Sequence, residues 1–389
     1  MNPVKRIAKR EIALLLNNRT IIIFAIILPF VSFLFFHGLF KNGVVRDLPI
    51  AVIDHDNSAM SRNIIAQIDA TPELQVDFYP LSEKDGEELI RTGKAIGLIT
   101  IPKDIQNHLK NGKQVNIINQ YNSNILLPGG LENKAFNKVI GTISAGIFIQ
   151  KKMKSGMSKQ QALINYQAVN LNSHVISNPY TNYSYYLNTG FLTLFFHIFV
   201  ILTTIYIFGI DLKYGKGTKL LRISNGHLSP LILGKLIPYT IWFFFVGLIM
   251  LYSMFVWHDF PLNGSKLAII IGLLLFIITT QSFALLILSV SQSFRTALTI
   301  GSGFAAVSLS FSGITFPIFG MPKLLQWMSQ IFPFTHFFNF LLEQSQQGFP
   351  VYYSLVSLAI LLILFTITLF LAWKNLKNLF VYGVFKSSI

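Results

Sequence analysis

The chain has 389 residues, enough by length alone for two or three soluble domains. Hydrophobic residues make up 52% of it and charged residues only 12%, about half the share found in soluble domains. This composition excludes a soluble protein and indicates a membrane protein. Lys and Arg outnumber Asp and Glu by 31 to 16, for a net charge of +15, and the lack of cysteine excludes disulfides and thiolate chemistry.

The first 19 residues predict a basic amphipathic helix. Residues 4–16 place apolar side chains near one helical face, and the opposite face carries Lys5, Arg6, Lys9 and Arg10. A helix of this kind ahead of a span lies in the inner membrane interface. A solvated positive segment that only orients the next span is the alternative, and both interpretations stay open.

Six apolar stretches are long enough to cross about 30 Å of hydrocarbon. The first is longer than a signal-peptide core and no cleavage site follows it, so we interpret it as an uncleaved anchor, with a kink at Pro29. The stretches are Thr20–Phe40, Leu187–Ile210, Leu231–Trp257, Leu267–Val290, Ala297–Phe319 and Tyr353–Trp373.

Between the first two stretches, residues 41–186 have the composition of a folded α/β domain with a mixed sheet. Ser58 and Ser82 precede two helices as N-caps, and Pro102 suits the first turn of another. The predicted strands are Leu48–Asp54, Gln75–Tyr79, Ala95–Ile101 and Val115–Gln120, and two later helices cover Leu131–Lys154 and Ser158–Asn170.

Basic residues are concentrated in the N-terminal segment, in the loop after the second stretch and in the tail after the sixth. The positive-inside rule therefore makes both termini cytoplasmic and residues 41–186 extracytoplasmic. The predicted fold class is an α-helical membrane protein with six transmembrane helices and an inserted extracytoplasmic α/β domain. The basic excess reports topology, so we expect no nucleic-acid partner.

Motifs for catalysis, metal binding and nucleotide binding are missing. The nearest match to a phosphate loop, Gly209 with Gly215–Gly217, has the wrong spacing and lacks the Ser or Thr. No Asp or Glu lies inside the six stretches, which disfavours an ion-coupled carrier, and Lys235 can snorkel to the interface. We predict no catalytic residue, no metal and no cofactor in this chain, so any energy must come from another molecule.

Two sets of polar residues inside the stretches allow two interpretations each. His37 and His197 either hydrogen-bond within the bundle or act in transport. Residues Thr279–Ser282 and the small residues between Gly301 and Ser312 either allow close helix packing or line a translocation path.

The order of several segments resembles that of permease subunits of type-2 ABC exporters. The basic N-terminal helix, first span and inserted domain are similar to that family's elbow helix, first span and external domain. The segments Leu48–Asp54 and Ala95–Asp104 are similar to the openings of such domains in the ectodomain-bearing branch. The segment Lys216–Ser224, followed by Ser229-Pro230 and Gly234–Leu236, resembles the cytoplasmic loop that carries the coupling helix.

A further resemblance follows the fifth stretch, where short helices of the family re-enter from outside. It is carried by Phe311–Pro317, Met321-Pro322, Leu325–Trp327 and Phe332–Thr335. The implied regions are an elbow at 1–19, a first span at 20–40, an external domain at 41–186, a five-span bundle at 187–373 with a coupling loop at 211–230 and an outer re-entrant segment at 319–352, and a cytoplasmic tail at 374–389.

The resemblance implies a role for three groups of residues. Relatives carry glutamates around the Gly-Thr of the coupling loop, whereas this chain has Gly215, Lys216 and Lys219, so docking is expected through other residues such as Asp211 or Arg222. The elbow group is Lys5, Arg6, Lys9 and Arg10; the ATPase-coupling group is Asp211, Gly217, Thr218, Leu220, Leu221 and Arg222; the outer group is Pro317, Met321, Pro322, Trp327 and Pro333.

As a function, the resemblance implies the permease subunit of an ATP-driven exporter in a bacterial inner membrane, moving a hydrophobic or amphipathic substrate outward. The expected partners are a separate ATPase that binds ATP and Mg, a second copy or a paralogous permease, membrane lipid and a periplasmic adaptor. A membrane receptor or phage-attachment protein that binds through the external domain is the alternative. A membrane enzyme is disfavoured because no cluster of acids or histidines occurs at the ends of the spans.

Overall fold

A computed structural model describes residues 2–166, 174–175, 177–178, 182–383 and 385. The chain forms two compact units, one built from residues 1–43 with 175–389 and the other from residues 44–174. We call them the membrane unit and the inserted unit. The inserted unit is the predicted domain 41–186 without residues 41–43 and 175–186, which belong to the membrane unit.

The N-terminal segment is helical, as its periodicity predicts. Helix α1 spans Pro3–Asn17, and the side chain of Asn2 caps it by accepting a hydrogen bond from the N–H of Val4. Asn18 then caps helix α2 (Arg19–Leu39) by accepting hydrogen bonds from two backbone N–H groups. The cap separates two helices that follow each other directly in the sequence.

Ahead of Pro29, for which the sequence predicts a kink, the helix contains a π-helical turn at Ile23–Ile27. Proline has no N–H, so the carbonyl four residues before it loses its usual helical donor. That carbonyl belongs to Ala25, and the indole Nε1 of Trp242 donates to it at 2.8 Å. A side chain from another helix thus satisfies a backbone group that the proline would leave unpaired in an α-helix.

Residues 44–174 alternate strands with helices, and all four predicted strands are confirmed to within a few residues. Ser58 and Ser82 cap the two predicted helices. Residues 167–170 of the predicted helix Ser158–Asn170 lie outside the described residues. The elements are β1 (Leu48–Asp54), α3 (Ala59–Asp69), β2 (Leu74–Phe78), α4 (Glu83–Arg91), β3 (Gly97–Ile101), α5 (Ile105–Lys110), β4 (Ile118–Tyr121), α6 (Leu126–Lys154) and α7 (Lys159–Tyr166).

The strands form one sheet in the order β2-β1-β3-β4. Strand β1 is parallel to both of its neighbours, while β3 and β4 are antiparallel. The mixed sheet that the sequence predicts is therefore confirmed. Parallel neighbours require crossover connections, which here contain α3 and α4.

Alternate residues of the central strands point to opposite faces, so the inserted unit has a core on each side of its sheet. One core gathers Ile50 and Ile99 with Phe136 of α6. The other gathers Ala51 and Leu98 with partly buried residues of α4. Burial on both faces explains why β1 and β3 are continuous apolar runs rather than alternating ones.

The membrane unit continues with eight more helices among the described residues. The last of them extends beyond Trp373, so residues 374–382 of the predicted tail are helical. These helices are α8 (Ser184–Lys213), α9 (Gly217–Ile223), α10 (Leu228–Trp257), α11 (Lys266–Val290), α12 (Phe294–Phe311), α13 (Lys323–Ser329), α14 (Pro333–Leu342) and α15 (Val351–Tyr382).

Within the described part of the chain, five helices are long and apolar enough to cross a membrane: α2, α8, α10, α11 and α15. The predicted fifth stretch, Ala297–Phe319, corresponds to α12, which ends at Phe311. Gly313 follows with φ +90°, a conformation that ends the helix and that side chains other than glycine rarely adopt. Helix α12 is thus shorter than the predicted stretch, although it begins three residues earlier, at Phe294.

Candidate functional site

Helix α1 packs across α10, and a glycine determines how closely the two helices approach. Ile7 and Leu15 are buried on the inner side of α1. A Cβ atom built on Gly234 of α10 would lie 2.8 Å from the Cβ of Ile7 and 3.1 Å from the carbonyl oxygen of Val4. Any larger residue at position 234 would therefore displace α1 from α10.

Next to this contact, four charged side chains meet between α1, α8 and α10; we call them the charge cluster. The ammonium of Lys235 lies 2.8 Å from Glu11 Oε1 and 2.6 Å from Asp211 Oδ2. The guanidinium of Arg10 donates to Glu11 Oε1 at 2.8 Å and to both oxygens of Asp211 at 2.9 and 2.5 Å. Each acid therefore meets both cations, and the cluster has no net charge.

The charge cluster is almost completely removed from solvent. The side chains of Glu11 and Lys235 are 0% exposed and that of Asp211 is 2% exposed, whereas Arg10 is 31% exposed. The ring of Phe208 covers the ammonium, with its centroid 5.2 Å from Lys235 Nζ. Removing one member of such a buried set leaves an uncompensated charge, so the cluster holds α1, α8 and α10 in one relative position.

Sequence reasoning misplaced three members of this cluster. The prediction that Lys235 snorkels to the interface is wrong, because it is paired inside the unit. Arg10 turns from the expected polar face of α1 toward Asp211. Asp211 lies inside the cluster, so the geometry disfavours the direct ATPase contact predicted for it. No local pattern indicates these pairs, since Arg10 and Asp211 are 201 positions apart.

The remaining surface of α1 combines charge with apolar groups. Lys5, Arg6 and Lys9 are exposed, as their helical spacing predicts. Ile12 and Leu16 are also exposed, to 49% and 65%. An outward apolar surface beside a basic one suits the membrane interface, and this favours the interfacial helix over a solvated segment.

The loop after α8 contains the short helix α9, which rests on the end of α15. Gly217, at the start of α9, donates its N–H to the carbonyl oxygen of Gly383 at 3.3 Å. A Cβ built on Gly217 would lie 2.8 Å from Gly383 Cα, so two glycines make this contact possible. Leu220, 2% exposed, anchors the same side of α9 in the core of the membrane unit.

The opposite side of α9 is open. Thr218 and Arg222 are exposed and Leu221 is half-buried. Together with Asn225 and Val381 they line a groove of about 420 Å³. Among the predicted coupling residues, Gly217 and Leu220 thus attach α9 to the bundle, and Thr218, Leu221 and Arg222 form a surface that a partner can reach.

A comparison of the chain with known protein families identifies its family. A family model described as "ABC-2 family transporter protein" matches residues 19–374. The chain belongs to the ABC-2 transporter family. This confirms the resemblance to type-2 ABC permeases, and such permeases work with an ABC ATPase subunit.

Two relatives of this ABC-2 permease carry names of the same kind. It is 23% identical over 313 residues to the linearmycin resistance permease protein LnrN of Bacillus subtilis (strain 168), covering 77% of this chain and 80% of that protein. It is 24% identical over 370 residues to ABC transporter G family member 20 of Dictyostelium discoideum, covering 92% of this chain and 48% of that protein. The chain therefore spans about half the length of the second relative.

The segment of the ABC-2 permease after α12 forms two short helices, with the predicted prolines at their starts. Pro322 precedes α13 and Pro333 begins α14, while Pro317 precedes a short 3-10 turn. The hydroxyl of Thr335 donates to the carbonyl of Phe311 at 3.3 Å, which joins the start of α14 to the end of α12. Other side chains of the segment differ in burial: Met321 is 9% exposed, Trp327 is 75% exposed, and Phe334, Phe337 and Phe340 are fully buried.

The small and polar residues of α11 and α12 fall into a buried group and an exposed group. Thr279–Ser282 of α11 are buried, and each contacts a neighbouring helix: Thr279 and Ser282 bond to α15, Thr280 to His197 of α8, and Gln281 to Thr240 of α10. On α12, Gly301, Ala305 and Ser308 are buried, whereas four small residues are exposed: Ser302, Gly303, Ala306 and Ser310. The packing interpretation holds for α11 and for one side of α12 only.

Both histidines inside the spans are hydrogen-bonded in the bundle. His37 lies 3.1 Å from Asn188 Nδ2 and 3.0 Å from Ser253 Oγ. Because the hydroxyl of Ser253 donates to the Met250 carbonyl at 2.7 Å, it accepts from His37. His197 Nδ1 lies 3.1 Å from the hydroxyl of Thr280. These contacts favour the structural interpretation over a role in transport.

Proposed function

We propose that this chain is the permease subunit of an ATP-driven exporter and that α9 and α1 receive the motion of a separate ATPase. The observation that carries the proposal is the charge cluster. It fastens α1 to α8 and α10, the two long helices that flank the loop containing α9. A displacement of α1 is therefore transmitted to the two long helices on either side of α9.

The exposed side of α9 is the proposed ATPase contact, through Thr218, Leu221 and Arg222 beside their groove. Leu221 supplies apolar area, and Arg222 can form a bidentate pair with a carboxylate of the partner. Asp211 takes the different role of holding Arg10 and Lys235. ATP and Mg bind in the partner, and this chain contributes no bond-breaking chemistry.

The proposed location is a bacterial inner membrane with both termini in the cytoplasm and the inserted unit outside. The basic residues of α1 and of the loop containing α9 support this orientation. We count α12 as the fifth of six spans. Its 18 residues extend about 27 Å, close to the thickness of the hydrocarbon core.

A second permease copy or a paralogous permease is the proposed neighbour of α12. The exposed Ser302, Gly303 and Ser310 give α12 a surface of small residues, which allows a second helix to approach closely. This surface fits a partner helix, or the wall of a path between two bundles for a hydrophobic or amphipathic cargo. The inserted unit would then shape the exit or bind a periplasmic adaptor.

The test is co-purification with an ABC ATPase subunit from the same organism, followed by the ATP hydrolysis rate of the complex. Arg222→Glu reverses the charge on the exposed side of α9 and is expected to weaken association at least tenfold. Lys323→Glu makes the same change on exposed α13, away from the proposed contact, and serves as the matched control.

Equal association of both variants would reject α9 as the contact. The receptor alternative would be favoured if the parent chain does not bind the ATPase and if substitutions within Lys216–Ser224 leave its function unchanged. A fall of association for Arg222→Glu alone supports the permease proposal.

A further inference from the structure

A second feature of the membrane unit is a crevice of about 300 Å³ between α10, α11 and α15. Its walls are almost entirely apolar, and Ile237 and Ile241 at its edge are 40% and 65% exposed. Because these helices are long and apolar enough to cross a membrane, the crevice opens toward lipid. Ligand sites commonly combine an apolar cavity with a few well-placed polar groups.

One polar group of this kind is present. Gln281 of α11 is 1% exposed and lines the crevice. Its Oε1 accepts a hydrogen bond at 2.8 Å from the hydroxyl of Thr240, which shares its one proton with the Leu236 carbonyl at 3.0 Å. Its Nε2 has no hydrogen-bond partner among the residues that the structure describes. A buried donor without a partner is unfavourable, and in hydrocarbon water does not replace the partner.

The charge of the crevice restricts its occupant. The side chains that line it within residues 182–383 include no Asp, Glu, Lys or Arg. Lys235, adjacent in sequence to its wall, is held by Glu11 and Asp211. A charged ligand would find no counter-charge there, so an uncharged molecule fits best.

We propose that this crevice binds an uncharged, membrane-dissolved molecule whose hydrocarbon body lies between α10 and α15 and whose oxygen accepts a hydrogen bond from Gln281 Nε2. A ketone, ester or hydroxyl oxygen meets this requirement. The binding depends only on the chain being in a membrane, so it stands or falls separately from the proposed export mechanism.

The experiment uses the full chain in lipid nanodiscs without ATPase or ATP. Two light-activated probes are compared, a long-chain ketone with a diazirine near its tail and the same chain with a methylene in place of the ketone. Labelled peptides are located by mass spectrometry. We expect the ketone to label peptides of α10 and α11 more strongly than the hydrocarbon does.

Variants identify the group that binds the oxygen. Gln281→Met keeps the length of the side chain and removes the donor, so ketone labelling should fall about five- to tenfold with little change for the hydrocarbon. Leu285→Trp fills the crevice and should lower labelling by both probes. Ile271→Met, on a surface of α11 that is 53% exposed, is the matched control and should change neither.

Equal labelling of the parent chain and Gln281→Met by the ketone would overturn the proposal. Equal labelling of the parent by the two probes would also overturn it, and that comparison needs no variant to fold. Intact ketone labelling of a chain that exports nothing when combined with its ATPase would count against the export proposal alone.

Discussion

The two units of this chain both bury carboxylates, but they neutralise them differently. In the membrane unit, Glu11 and Asp211 each lie within hydrogen-bonding distance of two cations. In the inserted unit, Glu132 of α6 is fully buried and accepts one hydrogen bond, from the Asn119 amide at 3.3 Å. Its Oε1 has no partner among the described residues. Burial therefore raises the pKa of Glu132 to about 7.

This difference shows two ways in which a protein can neutralise a buried carboxyl group. A counter-ion neutralises the carboxylate at every physiological pH, and it links whichever helices carry the two charges. A proton neutralises it only below the raised pKa, so the stability of that region depends on pH. The membrane unit uses the first solution where helices must stay together, and the inserted unit uses the second.

Removing a cation from the charge cluster should have the largest effect. Lys235→Met leaves two buried carboxylates with Arg10 alone, and we expect the free energy of unfolding to fall by about 3–5 kcal/mol. Heat or denaturant unfolding of the purified chain in one detergent measures this. The double variant Lys235→Met/Glu11→Gln leaves one cation for one acid and should recover at least half of the loss. A single variant as stable as the parent would show that the cluster is not a structural link.

Removing the buried acid Glu132 from the inserted unit should raise the free energy of unfolding rather than lower it. The folded-state pKa of Glu132, about 7, lies above the ordinary glutamate value of 4.5 because the carboxyl group is buried. The folded form therefore gains stability as pH falls from about 7 to 4.5, and above pH 7 it carries the full cost of the buried charge. Glu132→Gln should stabilise the unit by about 3 kcal/mol at pH 8 and have little effect near pH 4.5.

Hydrogen exchange of peptides from β4 and α6 in the full chain, at pH 5.5 and pH 8, checks this prediction. Glu87→Gln is the matched control, because Glu87 is exposed and pairs only loosely with Arg91 at 3.4 Å. An unchanged pH dependence in Glu132→Gln would mean that another group titrates.

Disturbing the contact beside the charge cluster should have a smaller effect. Gly234→Ala pushes a methyl group against Ile7 and is expected to loosen α1 by about 1–3 kcal/mol. Faster hydrogen exchange in residues 3–17 would report the loss. Gly303→Ala is the control, since nothing lies within 4 Å of its Cβ position. Equal exchange in both variants would contradict a close α1–α10 contact.

Removing the Asn119 amide, which donates the one hydrogen bond to Glu132, should have the smallest effect on stability. Asn119→Ala removes the donor to Glu132 and should destabilise the inserted unit by about 1 kcal/mol at pH 8. The pKa of Glu132 should rise further, which moves the pH transition to higher values. The same hydrogen-exchange series measures the shift, and a transition at lower pH would contradict the assignment.

Local patterns predicted most of the inserted unit because each element there is specified by neighbouring residues. Strand β1 is an apolar run whose bounds match the prediction, Leu48–Asp54, and the Ser58 cap starts α3 as expected. Hydropathy was a poorer guide to α12, because apolar residues continue to Phe319 although Gly313 has already turned the chain. Turn geometry overrode the apolar pattern at that point.

The amino-acid sequence by itself determined that the chain is a membrane protein, that an α/β unit is inserted after the first long helix, and that a short helix follows the second. These properties depend on composition and on periodicities of a few residues. Tertiary structure alone decided that Arg10 and Glu11 meet Asp211 and Lys235. Their attraction depends on distances near 3 Å in a desolvated space, and only the packed helices create that space.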